Sequence, residues 1–385
     1  MTARLVTGIA ELTTHTDERG TLSDAALVIE DGRIAWTGPA SVAPLADESL
    51  DLDGRAVIPG WVDSHTHLVS SGDRSAEFVE RMAGRPYQAG GIMRTVEAVR
   101  TASEQELVQR ARGLRDEAHR GGTTTLEAKT GYGLDVETEA RLAKVSAEVA
   151  DVVTYLGAHL VPPGVDRRAY VDLVTGPMLD AVAPYATFID VFCETGAFDV
   201  EESREVLLAG RAAGLALKVH GNQLGESGGV ALAVELGAVS VDHCNHLSRA
   251  DIDALASSET VATLLPACDL STREPFPPAR QLIDAGARIA LASNCNPGSS
   301  FTTSMAFCVA TAVLQQRLTF EEALWGATVG GAQALGLDGT ADAVGRVAVG
   351  GRADLQVLDA PSARHLAYRP GVPLRWATCE AGVFR

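Results

Sequence analysis

Residues 59–69 read PGWVDSHTHLV, a short apolar run that ends in two histidines one residue apart. Alternate residues of an extended strand point to the same side, so His65 and His67 are placed to reach one ion together. A lone H-x-H is a weak motif. Its position at the end of the first apolar strand of a series gives it weight, because the strand ends of a parallel barrel converge on one face, where active sites of that fold lie.

Outward from this stretch, seven more apolar runs follow, with helix-like stretches between them. They are TTTLEAK from Thr123, VVTYLGAH from Val152, TFIDVFCET from Thr187 and LALKVH from Leu215, then VSVDH from Val239, VATLLP from Val261 and RIALASN from Arg288. Helices are expected over 103–120 and 137–149, the second opened by Asp135 as N-cap with glutamate in its first turn. Near-continuous apolar strands alternating with helices imply an α/β protein with a parallel sheet covered on both faces. A doubly wound open sheet is the competitor. The tally of eight, with polar residues where the strands run out, favours a closed (β/α)8 TIM-like barrel.

Both chain ends have a different texture. ALVIEDGRIAWTG and RAVIPG near the start, and GRVAVGGRADLQVLDA near the end, are β-rich pieces broken by Gly and Asp-Gly turns. The expectation is a small β-sandwich-like domain assembled from residues 1–59 and 346–385, beside a barrel of residues 60–345.

The chain has 385 residues, 46% of them hydrophobic, enough to bury a large core. Lys and Arg total 32 against 50 Asp and Glu, a formal net charge of -18. Such a surface repels phosphate backbones and anionic lipid, so neither nucleic acid nor membrane is expected as a partner, whereas a small anionic substrate can still be held by one local arginine. The six cysteines are scattered with no C-x-x-C pair, which suits a reducing compartment. With no apolar stretch of signal-peptide or membrane-spanning length, a cytoplasmic location is expected.

Polar residues close the strand-like runs: His65, His67, Glu127, Lys129, His159, Glu194, His220, His243 and Asn294. Each buried imidazole nitrogen needs a partner, so histidines gathered behind apolar runs point to a metal centre more than to core filling. Glu127 and Glu194 either orient histidines or cap their strands. Lys129 raises the alternative of a carbamylated lysine bridging two metals. No Walker loop and no G-x-G-x-x-G after a strand is present.

The stretches PGWVDSHTHLV, TTTLEAKTGYGLD (123–135), YLGAHLVPP (155–163), FCETGAF (192–198), LKVHGNQ (217–223), VDHC (241–244), CNPGSS (295–300) and the closing GRADLQVLDAPS cover nearly the whole chain. On them the sequence resembles the amidohydrolase superfamily and, within it, the imidazolonepropionase family; KTGYGLD, GAHLVPP and NPGSS carry the finer likeness. The resemblance implies hydrolysis of the ring C–N bond of 4-imidazolone-5-propionate to N-formimino-L-glutamate in histidine degradation. It implies one divalent metal ion, Zn or Fe, on His65, His67, His220 and the residue ending the eighth strand, Asn294. His243 would stabilise or relay charge beside the reacting carbonyl, with Gln223 nearby. Arg74, Tyr87, Tyr132, His159, Asn296, Gly298 and Ser299 would contact a small substrate carrying a carboxylate and a planar nitrogen ring, and the assembly would be a homodimer.

These roles are physically reasonable. Arg74 offers a fork of donors to a carboxylate, Tyr132 is held between two glycines, and the Asn-Pro-Gly-Ser-Ser turn exposes N–H groups and hydroxyls. The bland alternatives are a solvated Arg74, a packing role for Tyr87 and a mere tight turn at 131–133. In two places the chain departs from the family. The eighth strand ends in Asp there but reads ASNCNPGSS here, and an amide oxygen carries no charge and takes no proton. Gln223 stands where many members have Glu. Three readings follow: an enzyme of this kind with Asn294 in place, a sister hydrolase for a modified five-membered ring, or a metabolite-binding protein without turnover.

Overall fold

The structure is a computed structural model that describes residues 3–16, 20–84, 91–339 and 343–385. Four strands precede the barrel: β1 (Arg4–Thr13), β2 (Thr21–Glu30), β3 (Arg33–Pro39) and β4 (Glu48–Pro59). The barrel strands are β5 (Trp61–Asp63), β6 (Thr123–Lys129), β7 (Val152–Ala158), β8 (Phe188–Cys193), β9 (Ala216–Gly221), β10 (Ser240–His243), β11 (Val261–Leu264) and β12 (Ile289–Leu291). Then come β13 (Leu355–Leu358), β14 (Arg375–Glu380) and β15 (Val383–Phe384).

Strands β5 to β12 pair in chain order, each parallel to the next. The two edge strands meet just beyond their ends, through a parallel bridge between Thr66 and Asn294. Asn294 N–H donates to His65 O at 3.0 Å and His67 N–H to Asn294 O at 3.1 Å, while Ser293 N–H donates to the Asp63 carboxylate at 2.9 Å. The sheet is therefore a barrel and not an open doubly wound layer. Its closure uses the same short segments that carry the histidine pair and Asn294.

Strands β6, β7 and β8 are buried along their full length, as expected of parallel strands covered by helices. The helix Glu104–Arg120 opens on Ser103 in a capping box with Glu106, and Val136–Val149 opens on Asp135, whose Oδ1 accepts from Thr138 N–H at 2.8 Å. The ladders end sooner than the apolar runs do: β5 stops at Asp63 and β12 at Leu291. At the ladder end and just beyond, His243, Cys244, Asn294 and Cys295 take φ of 83°, 59°, 70° and 28°. Left-handed backbone at four non-glycine residues is strain that the packed surroundings must hold, and it turns the chain sharply out of the sheet at the barrel mouth.

The terminal segments join in one seven-stranded sheet, ordered β15-β14-β13-β4-β1-β2-β3. Its core is Val6, Ile9, Leu12, Leu27, Ile29, Ile34, Val57, Leu355 and Val357. The turn before β13 anchors it: Arg352 pairs with buried Asp354 and donates to Thr125 Oγ1 at 3.0 Å on barrel strand β6. All six cysteines are free and buried. Among the described residues no helix is long and apolar enough to cross a membrane.

Candidate active site

Five imidazoles gather at the mouth of the barrel. His65 lies with its ring centroid 4.6 Å from His220, 5.4 Å from His67 and 5.6 Å from His243. His220 and His243 are 5.4 Å apart, and His159 stacks on His67 at 5.4 Å. Ligand-capable atoms of His65, His220 and His243 lie within 4.8 Å of one another. The ring of His67 stands next to this trio, 5.6 Å from His220. Four elements far apart in sequence, β5, β7, β9 and β10, thus deliver their histidines to one place.

The tautomers follow from what lies beneath. His65 Nδ1 is 2.6 Å from Asp242 Oδ2, and His220 Nδ1 is 3.0 Å from Asp190 Oδ2, bent from ideal alignment. A carboxylate on Nδ1 places the proton there and leaves the Nε2 lone pair facing the centre. Burial, followed by the nearby Lys129 charge, holds His65 down to about 4, against the pull of Asp242. Burial also holds His67 and His243 well below the ordinary imidazole range and His159 at about 3. These rings are neutral at pH 7, the form that coordinates a cation.

Below the dyads is a fully buried ionic network. Lys129 Nζ is 2.8 Å from Glu127, 2.8 Å from Asp190 and 3.4 Å from Asp242. Lys218 Nζ donates to Ser64 O at 2.9 Å and lies 3.5 Å from Glu127. Burial pulls Lys129 down, but its three carboxylates more than offset this, so the ammonium is held charged. Burial likewise pushes Asp242 up, yet Lys218, Lys129 and His65 together bring it well below the usual carboxylate range. A charged ammonium shared among three carboxylates is not a carbamylated metal ligand. Glu194 accepts from Thr195 and Leu224 N–H, both at 2.9 Å, and ties the end of β8 to the loop after β9.

The donor set fits a cation. His65 Nε2, His220 Nε2, His243 Nδ1 and Asn294 Oδ1 are all buried without a hydrogen-bond partner among the described residues. Buried polar atoms are nearly always satisfied, so orphaned ring nitrogens on the clustered His65, His220 and His243, with Asn294 Oδ1 orphaned as well, call for a ligand that accepts electron pairs. Asn294 is fixed by its other amide atom, Nδ2 donating to Ser299 Oγ at 2.7 Å.

Next to the histidines is a small cavity bounded by Arg74, Tyr132, His159 and Asn296, together with Ile92, Leu160 and Phe192. Four of the residues singled out for substrate contact therefore meet. His159 Nδ1 donates to Gly131 O at 3.0 Å. Gly131 itself has φ +104°, and a Cβ there would lie 2.7 Å from Leu156 O and 2.9 Å from His159 Nδ1, so only glycine allows the approach. Gly298 packs on the Arg74 guanidinium, and its N–H donates to Asn296 Oδ1 at 2.8 Å. Gln223 is buried at the rim, its amide 4.0 Å from Cys268 Sγ. Tyr87 lies outside the described residues.

Sequence reading missed several supports. Asp190 and Asp242 are charges in otherwise apolar strands, an anomaly visible in TFIDVFC and VSVDH. Glu139 is less legible: buried on a helix, its carboxylate accepts from the N–H groups of Gly131, Gly133 and Leu134 at 2.9, 2.6 and 2.9 Å and shapes the loop that presents Tyr132. Glu77 escaped notice as the partner of Arg74.

The sequence pattern of the Amidohydrolase family matches residues 195–373. Over its whole length the chain is similar to the imidazolonepropionase of Saccharopolyspora erythraea, at 63% identity over 383 residues, covering 100% of this chain and 99% of that protein. The imidazolonepropionase of Arthrobacter sp. (strain FB24) is 60% identical over 394 residues, covering 98% of each. Among solved structures, a zinc-bound adenosine deaminase from Xanthomonas campestris superposes with a TM-score of 0.73 at 19% identity, covering 99% of this chain and 92% of that one, which is a likeness of fold.

Proposed function

The chain belongs to the imidazolonepropionase family, and on that premise we propose that it hydrolyses the ring C–N bond of 4-imidazolone-5-propionate to N-formimino-L-glutamate in histidine degradation. Near-complete alignment with those relatives carries the reading, because it takes in the histidine cluster and the cavity beside it.

His65, His67 and His220, with Asn294 Oδ1, are assigned to one divalent cation. The orphaned atoms of His65, His220 and Asn294 support that assignment, and His67 stands beside them with Nδ1 unpartnered. When bound, such a cation polarises a carbonyl and acidifies a water, which is the chemistry a lactam needs. The chain supplies the rest. Asp242 and Asp190 hold the rings of His65 and His220 in register. Arg74 takes the propionate carboxylate, Tyr132 and His159 flank the planar ring, and the turn of Asn296, Gly298 and Ser299 closes over it. Asn294 and Gln223 are amides and take no proton. The proton therefore passes to His243, a neutral imidazole with Nδ1 unengaged, which returns it to the departing ring nitrogen.

Release of formiminoglutamate is the test, measured for metal-stripped protein and after loading with Zn or with Fe. Turnover restored by one of the two cations is the expected result. No turnover with either, alongside hydrolysis of another five-membered lactam, would move the assignment to a sister reaction.

A further inference from the structure

The cavity beside the histidines has a volume of about 20 Å³, room for roughly one water. A five-membered ring bearing a propionate arm does not fit. A second cavity of about 780 Å³ opens at the barrel mouth, and Arg74 lines both. The guanidinium is thus a wall between a chamber that is too small and one that is ample.

What holds this wall is a carboxylate of the chain itself. Glu77 Oε2 accepts from Arg74 Nε at 3.1 Å and from Nη2 at 2.6 Å, occupying one edge of the fork. Glycine backs the guanidinium on both sides: a Cβ at Gly91 would lie 2.4 Å from Nη2, and one at Gly298 would lie 2.2 Å from Nη1. The other oxygen of Glu77 is 3.2 Å from Nη1 of Arg94, whose side chain is 68% exposed. Glu77 therefore has a second guanidinium to which it can withdraw.

We propose that Glu77 is a resident competitor for the carboxylate of the substrate, closing the wall at Arg74 until an incoming carboxylate displaces it toward Arg94. The exchange replaces one charged pair by another, so it needs little net electrostatic work. A ring without a carboxylate has nothing to offer the fork and leaves the wall shut. Glu77 thereby sets specificity for charged substrates. The inference rests on Arg74 being the carboxylate receptor in the proposed reaction.

The test is calorimetric binding of 3-(imidazol-4-yl)propionate to the cation-loaded protein, with 4-ethylimidazole as the ligand lacking the carboxylate. Glu77→Gln should bind the propionate about tenfold more tightly and change ethylimidazole affinity much less. Glu77→Asp keeps the charge but shortens its reach and should also tighten propionate binding. Unchanged or weaker propionate binding in Glu77→Gln overturns the proposal, as does tightening by Gln alone, which would be a field effect. Arg74→Met separates the premise from the proposal. If that variant binds the propionate as well as the parent does, the receptor reading fails. If it binds more weakly while Glu77→Gln binds no better, only the competitor idea fails.

Discussion

Lys129 stands 2.8 Å from Asp190, the carboxylate against His220, and the same ammonium is 3.4 Å from Asp242, the carboxylate against His65. One buried cation thus steadies both carboxylate–histidine pairs. Three carboxylates (Glu127, Asp190, Asp242) against two lysines (Lys129, Lys218) leave one net negative charge beneath the cluster, which offsets part of the charge that Asn294 does not bring.

Removing that ammonium leaves buried carboxylates uncompensated. Lys129→Met is expected to lower stability by about 3–5 kcal/mol, read from the urea midpoint of the metal-free protein. A midpoint within error of the parent would show that the network is not under strain when broken.

The carboxylates act through the rings they hold. Asp242→Asn should weaken cation binding about 10–100-fold, measured by competition with a chromophoric chelator. Asp190→Asn should weaken it less, because its contact with His220 is the bent one. Equal affinity in Asp242→Asn and the parent would mean that packing alone orients His65.

Asn294 presents a neutral oxygen where a carboxylate would bring both charge and a proton acceptor. Asn294→Asp is predicted to tighten the cation by about tenfold or more and to raise turnover. Higher affinity with falling turnover would show that the missing carboxylate does not limit the reaction and that a second proton acceptor beside His243 misdirects the water.

Gly298 has no room for a side chain beside Arg74. Gly298→Ala should displace the guanidinium and raise KM by about tenfold, with a smaller effect on kcat. An equal fall in kcat at unchanged KM would place the damage at the cation instead.

His15 lies outside the site, against Trp325 at 5.2 Å, and is held down to about 4 by burial and then by Arg346. Its unfolded-state value is near 6.5, so between the two the unfolded chain binds a proton that the native chain does not. Stability drawn from this group is present above pH 6.5 and lost as pH falls toward 4, by up to about 3 kcal/mol. His15→Gln should therefore lose less stability than the parent over that window. Parallel melting curves across the window would exclude the linkage.

Much of the architecture was legible because burial writes itself into composition. The run TTTLEAK became β6 without a residue's difference, and Asp135 capped its helix, since apolar continuity and capping are local properties. The clustering of His65, His67, His159, His220 and His243 could also be expected, since parallel strands deliver their ends to one face. Local rules fail once the partner is remote. Nothing near Asp242 in sequence says that its oxygen meets His65, 177 residues earlier, nor that Lys129 serves two dyads. Even the short-range pair of Arg74 and Glu77 takes its meaning from cavities built by other segments.

By itself, the order of residues determined a barrel of eight strands, the extra sheet from the two chain ends and which side chains crowd the mouth, because periodicity and apolar content act over a few residues. Only the tertiary structure decided which histidine nitrogen is left free, which acid steadies which ring and what blocks the fork of Arg74. Those depend on distances of a few ångströms between groups that the fold brings together, whether 177 residues apart as in His65 and Asp242 or 30 apart as in Asp190 and His220. Low dielectric there makes each contact count.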